Sequence, residues 1–170
     1  MPKKAGPIKS GLGTLIGNAG EYFVVAELLK RGVIAAMAPR NTPGFDVLAT
    51  DGVRSVNIRV KTRSPAAKSW VWNVKEDGAI FRNITDNDFT VAVDLRSANL
   101  PPEFFVFQTR DLDMILTADF ESWLEQPGRN DRPHSPDNPQ RRLGTREHHT
   151  ALLESAKSRW NLILAKLSGR

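Results

Sequence analysis

An acid and a lysine on neighbouring apolar segments form the most informative pattern in this chain. Asp46 stands alone in a short apolar segment, and Lys61 follows fifteen residues later at the end of an alternating run. A stretch with helical spacing that carries Glu21 precedes both. Carboxylates hold Mg²⁺ through hard oxygen ligands, the bound ion activates water, and a nearby lysine can position that water. The three residues therefore favour metal-assisted phosphodiester chemistry.

Arg59 complicates this site because it stands two positions before Lys61. Alternate residues of a strand point to the same face, so the side chains of Arg59 and Lys61 should lie together. A guanidinium cannot ligate Mg²⁺, and its fixed charge opposes a divalent ion at close range. The sequence therefore predicts that Arg59 pairs with Asp46 or Glu21 and takes the place of a metal ligand.

The elements that must position these residues follow from hydrophobic periodicity. Three- and four-residue spacing predicts a helix from Gly17 to Arg31, which Gly32 ends. Asp51-Gly52 predicts a hairpin between two strands. A central mixed β-sheet flanked by helices is the expected α/β assembly. The expected strands are 33–38, 45–50, 54–62, 70–74, 89–95 and 104–108, followed by a helix at about 110–126.

The two ends of the chain differ in composition from this core over residues 17–126. Residues 1–16 are rich in Gly, Lys and Pro and predict a flexible basic arm. Residues 127–147 contain four prolines together with Arg, Asn and Asp, which predicts an extended linker. Residues 148–170 predict one amphipathic C-terminal helix of about twenty residues, whose apolar stripe must cover its own sheet or a partner.

Composition limits the functional classes. The chain has 170 residues, no cysteine and no apolar run long enough to cross a bilayer, which favours a single domain in the reducing cytoplasm without a membrane partner. The net charge is +5, and the positive excess lies at the two ends. Basic ends suit a phosphate backbone, although solubility alone is the alternative explanation.

Residues 17–63 resemble the PD-(D/E)xK nuclease superfamily, in particular its Holliday-junction-resolvase-like and small endonuclease-like members. The matching segments are residues 17–21, which open the first helix, Phe45-Asp46-Val47 on one strand, and Ile58-Arg59-Val60-Lys61-Thr62 on the next. The strands at 88–95 and 102–107 extend the resemblance to about residue 125.

The resemblance implies a restriction-endonuclease-like fold and a Mg²⁺- or Mn²⁺-dependent DNA endonuclease. Asp46 would be the principal metal ligand, Lys61 the catalytic lysine, and Glu21 an auxiliary acid that also binds metal. Arg59 occupies the (D/E/Q) position of the motif and departs from the pattern. The expected partner is DNA, with branched DNA and a homodimeric enzyme among the candidates. The residues expected to contact nucleic acid are Lys3, Lys4, Arg54, Arg63 and Lys68.

Two other functional hypotheses stay open at this point. Because of Arg59, the chain could be a catalytically inactive nuclease fold that binds DNA or serves in an assembly. Alternatively, it could be an interaction protein whose C-terminal helix pairs with a partner or with a second copy.

Individual residues also have simpler interpretations. Glu21 could close a capping box with Asn18, and the basic face of the strand at 54–62 could be a solvated edge. His148 and His149 are adjacent, so on a helix their side chains should diverge and a two-histidine metal site is not expected.

Overall fold

The computed structural model describes residues 7–39, 42–144 and 146–169. The α/β class predicted from the sequence is confirmed. A short 3-10 turn at Arg129–Asp131 follows the second helix. The helices and strands, in chain order, are α1 (Pro7–Lys30), β1 (Ile34–Met37), β2 (Val47–Thr50), β3 (Ser55–Arg63), β4 (Trp70–Asn73), β5 (Asp88–Asp94), β6 (Glu103–Gln108), α2 (Thr109–Glu125), β7 (Gln140–Leu143), α3 (His148–Ala156) and α4 (Asn161–Ser168).

Five strands form a mixed sheet in the order β1-β2-β3-β5-β6. Only β3 and β5 run parallel within it, and the other neighbours are antiparallel. The predicted hairpin is the connection between β2 and β3, where the backbone N–H of Arg54 and of Val53 both donate to Asp51 Oδ1. The long strand β3 therefore lies in the middle of the sheet and carries Lys61 near its end.

The two faces of the sheet pack against different partners. Val56 and Ile58 of β3 belong to a core shared with Val24 and Leu28 of α1 and with Ile163 of α4. The opposite face is covered by α2, α3 and a separate two-stranded antiparallel ribbon, β4–β7, through Trp70, Leu112 and Leu143. The alternation of β3 thus directs its apolar residues towards α1 and α4. The residues on its other face are Asn57, Arg59, Lys61 and Arg63.

Helix α1 begins earlier than the sequence predicts. It starts at Pro7, so residues 7–16 are helical and the flexible arm predicted over 1–16 is wrong for that part. The capping-box interpretation of Glu21 is also wrong, because Asn18 lies in the interior of the helix.

The C-terminal segment forms two helices instead of one. Between α3 and α4 the chain passes along the edge strand β6, where Lys157 bridges to Phe105 and Ser158 N–H donates to Phe104 O at 2.8 Å. Ala156 packs on the ribbon side of the sheet, whereas Trp160 packs on the α1 side. The apolar stripe predicted from the sequence is therefore divided between the two faces of the chain's own sheet.

The segment predicted as an extended linker contains β7, which pairs with β4 in the register Trp70↔Leu143 to Asn73↔Gln140. Alternating Gln, Arg and Leu is too polar a pattern to mark a strand, and the pairing with Trp70 and Trp72 supplies the missing apolar contact. Among the described residues, no helix is both long and apolar enough to span a membrane.

Candidate active site

A cavity of about 710 Å³ opens on the polar face of β3. Asp46 and Lys61 both line it, and so does Arg59. The loop before β2 and the segment between β4 and β5 form the remaining walls. We call this the Lys61 cavity. Its ionisable lining residues are Asp46, Arg59, Lys61, Lys75, Arg82 and Asp88.

Asp46 is held at the start of β2 by backbone contacts. Its N–H donates to Ile58 O at 2.9 Å, and its Oδ2 accepts the Val60 N–H at 2.7 Å. Burial raises the pKa of the Asp46 carboxyl, and the hydrogen bond from Val60 and the charges of Arg59 and Lys61 offset this only in part. A bound cation would stabilise the ionised form of this carboxylate.

Lys61 lies two positions beyond Arg59 on the same face of β3. Burial lowers the pKa of its ammonium group, the charge of Asp46 opposes this change, and Lys75 adds to it. A lower pKa increases the fraction of Lys61 that is neutral and able to accept a proton.

Arg59 pairs with a different acid from those expected. The sequence predicts Asp46 or Glu21, but the ion pair seen within the described residues joins Arg59 Nη2 to Asp88 Oδ1 at 3.7 Å. The Asp46 carboxylate is turned towards Val60 N–H instead. Arg59 also donates to Arg82 O at 3.2 Å and lies over the Phe81 ring at 5.6 Å. Within that same part of the chain, its buried Nε–H has no hydrogen-bond partner.

Asp88 is the residue in this cavity that sequence reasoning missed. It is the first residue of β5, it is buried, and its Oδ2 accepts from Thr85 N–H at 2.7 Å and from Thr85 Oγ1 at 2.5 Å. Its sequence setting matches that of Asp46, because each acid directly precedes a buried apolar residue, Val47 after Asp46 and Phe89 after Asp88. Only the parallel pairing of β3 with β5 shows that the two strands are neighbours.

Glu21 lies on α1, whose buried residues pack against the other face of the sheet. Its neighbour Gly20 touches β3 at Thr62, since a Cβ on Gly20 would lie 1.9 Å from Thr62 Oγ1. Glu21 therefore lies near the end of β3 that carries Lys61, but on the helix that packs against the other face of the sheet. Asp46, Arg59 and Lys61 line the cavity, and Glu21 does not. Its role as an auxiliary acid stays a prediction.

The basic residues expected to contact nucleic acid lie in different places. Arg54 lies at the β2–β3 turn and donates a hydrogen bond to Leu167 O at 3.0 Å. Arg54 precedes Lys61 by seven residues, which is about 23 Å along a strand. Arg63 pairs with Asp94 at 2.6 Å and lies 3.9 Å from the centre of the Trp70 ring. Lys68 is exposed just before β4. Lys3 and Lys4 fall outside the described residues.

A second group of ionisable residues lies where α2 meets α3. His148 Nε2 is 2.9 Å and His149 Nε2 is 3.4 Å from Asp119 Oδ1, so the two rings converge on one carboxylate, contrary to the divergence expected from the sequence. His149 Nδ1 accepts N–H groups of Gly144 at 3.1 Å and of Arg146 at 3.4 Å. Neutral His149 therefore carries its proton on Nε2, which leaves that nitrogen no lone pair for a metal.

Comparison with known proteins supports the fold. No protein-family model matches the chain, and no curated protein matches its sequence. Among solved structures, the chain is similar to I-Ssp6803I, described as a bacterial homing endonuclease, with 18% sequence identity and a TM-score of 0.51. The match covers 92% of this chain and 94% of the other. At this identity the likeness concerns the fold alone: the chain has a nuclease-like α/β fold.

Proposed function

We propose that this chain is a DNA endonuclease whose active centre is the Lys61 cavity, of the PD-(D/E)xK type that its motifs resemble. One observation carries the proposal. A desolvated aspartate and a lysine with a lowered pKa line a single cavity on a nuclease-like fold. Four of the six ionisable lining residues are basic, which suits a phosphodiester.

The residues present fit a divalent cation at Asp46. The carboxylate offers the hard oxygen that Mg²⁺ or Mn²⁺ prefers, and its raised pKa indicates that neighbouring positive charges do not fully stabilise its ionised form. Glu21 or Asp88 would supply the second carboxylate, and Asp88 has the advantage of lining the same cavity. When bound, the ion would lower the pKa of a water molecule and stabilise charge on the phosphate.

Lys61 and Arg59 take different roles in this proposal. Neutral Lys61 accepts a proton from the water that attacks phosphorus, which its lowered pKa favours. Arg59, which lines the cavity, binds a non-bridging phosphate oxygen through its guanidinium group. Arg59 would thereby act on the substrate, and its charge need not be close to the cation.

The inactive DNA-binding module remains a second candidate, because Arg59 stands where the motif has an acid or amide. The positive charge of Arg59, which Asp46 as well as Asp88 attracts, would then take the place of the metal beside Asp46 permanently. This candidate expects DNA binding that weakens steeply with salt, without Mg²⁺ dependence.

A homodimer is part of the proposal. Leu15, Tyr22 and Leu29 follow one another at seven-residue spacing on α1 and are exposed, with Phe23 also exposed. Such a stripe suits a second copy of the same helix. Two cavities would then be available for two strands of a duplex or for a branched substrate.

The test is cutting of supercoiled and branched DNA by the purified chain with Mg²⁺ or Mn²⁺. The wild type should nick or linearise DNA, and Asp46→Asn and Lys61→Met should each lower the rate at least about 100-fold, because general acid–base groups contribute on that order. Arg54→Ala is the matched control for loss of one basic residue and should keep most activity. Cutting that persists in the Asp46→Asn, Lys61→Met double variant would reject the site.

A further inference from the structure

The β4–β7 ribbon has one packed face and one free face. Trp70 anchors the packed face by donating Nε1–H to Val93 O of the central sheet at 3.0 Å. Arg141 lies over the Phe120 ring at 3.4 Å, and Leu143 is fully buried. The ribbon is therefore held rigidly against the sheet and α2.

The free face of the ribbon is mainly polar. The four residues on this face form the cross-strand pairs Val71↔Arg142 and Asn73↔Gln140. Asn73 and Arg142 are exposed, and Arg142 donates a hydrogen bond to the side chain of Gln140. These residue types match base edges in the major groove: arginine with guanine O6 and N7, asparagine and glutamine with adenine N6 and N7.

The size and charge of this face also fit a duplex. Four residues per strand span about 13 Å, and the paired strands lie about 5 Å apart. The major groove is about 12 Å wide and accepts a two-stranded ribbon. Lys68 and Lys75 are exposed and flank β4, so their positive charges lie where they can attract phosphates beside the groove. Glu76 and Asp77 follow Lys75 in the chain and carry negative charge, and Asp77 forms an ion pair with Arg82 at 2.9 Å.

The ribbon is continuous with the Lys61 cavity. Trp72 of β4 and Lys75 directly after it both line the cavity, as does Phe81, which meets Trp72 edge-on at 6.3 Å. The ribbon therefore borders the Lys61 cavity through Trp72 of its packed face and through Lys75 just beyond the end of β4.

We propose that the free face of β4–β7 enters the major groove of double-stranded DNA, where Asn73, Gln140 and Arg142 set the sequence preference. The inference rests on the proposed endonuclease function and adds the means by which a cutting site would be selected. A 13 Å ribbon spans about four base pairs at 3.4 Å each, so the preferred motif should be about that long.

Selection from a randomised duplex library in EDTA tests the ribbon without cutting. The full-length wild type should enrich a motif of about four base pairs. Arg142→Ala should lose the preference for guanine at one position and bind the selected duplex about 5- to 100-fold more weakly. Lys68→Ala should weaken binding to all sequences alike and reduce the salt slope by about one. Methylation of guanine N7 on the selected duplex should block wild-type binding.

Arg159→Ala is the control, because Arg159 is exposed in the crossover at the far edge of the sheet. It should leave motif and affinity unchanged, and all variants should keep the wild-type melting temperature. A wild type that enriches no motif, or an Arg142→Ala, Gln140→Ala variant that enriches the wild-type motif with equal affinity, overturns the inference.

Assaying the same proteins with Mg²⁺ separates this inference from the proposed function. Selection of a motif without cutting would refute the endonuclease and support the ribbon. Asp46-dependent cutting with a sequence preference that ignores Arg142 would refute the ribbon alone.

Discussion

The chemistry proposed for this chain depends on one environment acting on two side chains. Burial raises the pKa of Asp46 and lowers that of Lys61, because a poorly solvated site disfavours either charge. Each charge partly stabilises the other. A divalent cation would stabilise the ionised form of Asp46, and the attacking water would give its proton to neutral Lys61.

Asp46→Asn should abolish cutting while stabilising the fold. Asn can still accept the Val60 N–H, and the cost of an ionised, partly buried carboxylate disappears. Because the folded-state pKa of Asp46 is raised, its protonated form contributes stability at low pH, and this is lost as pH rises through the folded pKa. Melting of the variant should match the wild type at pH 3 and exceed it by up to about 3 °C at pH 7. A variant less stable at pH 7 than at pH 3, relative to wild type, contradicts this account.

The pH dependence of cutting should also reflect the raised pKa of Asp46. Activity needs ionised Asp46, so its acid limb should lie at a higher pH than an ordinary aspartate would give. Rates of plasmid cutting from pH 4 to 9 at Mg²⁺ concentrations far below saturation measure this, because a bound cation would lower the pKa of Asp46. An acid limb at the usual aspartate value would mean that Asp46 does not control the reaction.

Arg59→Gln should destabilise the chain, since it leaves the carboxylate of buried Asp88 without its counter-charge. The expected loss is about 2–4 kcal/mol in the free energy of unfolding, measured by urea denaturation. Arg82→Gln is the matched control, because its pair with Asp77 is about half exposed on both sides and should contribute less than about 1 kcal/mol. Equal losses in the two variants would show that the Arg59–Asp88 pair is not structurally important.

At the scale of elements, the contact between α1 and β3 sets the height of the first helix over the sheet. A methyl group on Gly20 would meet Thr62 Oγ1, Cβ and Cγ2, whereas one on Gly17 would meet nothing within 4 Å. The backbone of α1 therefore needs glycine at position 20 to lie this close to the strand that carries Lys61.

Gly20→Ala should cost about 1–3 kcal/mol through overpacking. Gly17→Ala, on the same helix, should be neutral or stabilise by up to about 1 kcal/mol through helix propensity. Adding Thr62→Ala removes two of the three clashing atoms, so the Gly20→Ala, Thr62→Ala pair should recover part of the loss. Thermal denaturation of the wild type and the three variants decides this. Identical stability of Gly17→Ala and Gly20→Ala would contradict the close contact.

Sequence periodicity predicted most helices and strands, because the apolar residues that form each periodic pattern are the residues that the fold buries. β3 alternates, and its apolar half is buried as expected. Residues 7–16 of α1 were missed because they contain a proline and two glycines, which lower helix propensity. The strand β7 was missed because its pairing with β4, and not local propensity, holds it in place. Asp46 and Lys61 could be assigned to one site from the sequence, because the hairpin predicted at Asp51-Gly52 makes their two strands neighbours. Asp88 could not, because its approach to Arg59 depends on the parallel pairing of β5 with β3, across twenty-nine positions.

For the whole molecule, the C-terminal crossover joins the two cores. Edge strand β6 is covered by residues 157–158, and the flanking helices close both faces. This arrangement protects an edge that would otherwise be open to pairing with another chain. It also assigns the C-terminal apolar stripe to the chain's own sheet, which removes the basis for an interaction protein built on that helix.

Ending the chain after Lys157 should therefore destabilise the entire fold. The truncation removes Trp160, Ile163 and Leu167, all nearly fully buried in the α1-side core. Losing three large buried side chains costs several kcal/mol, of the order of the total stability of a domain. Circular dichroism should show a large loss of helix, and the product should aggregate. A truncated chain that melts cooperatively at the wild-type temperature would contradict this role.

The proposal that the Lys61 cavity is a nuclease centre is tested most directly by a crystal structure of the chain soaked in Mn²⁺, with the anomalous signal of the metal. The account predicts a peak within about 2.5 Å of an Asp46 carboxylate oxygen, with Arg59 still directed to Asp88. The same soak of Asp46→Asn should lose that peak. No metal in the cavity of the wild type, with Arg59 in the space beside Asp46, would contradict the account and identify the chain as an inactive nuclease fold.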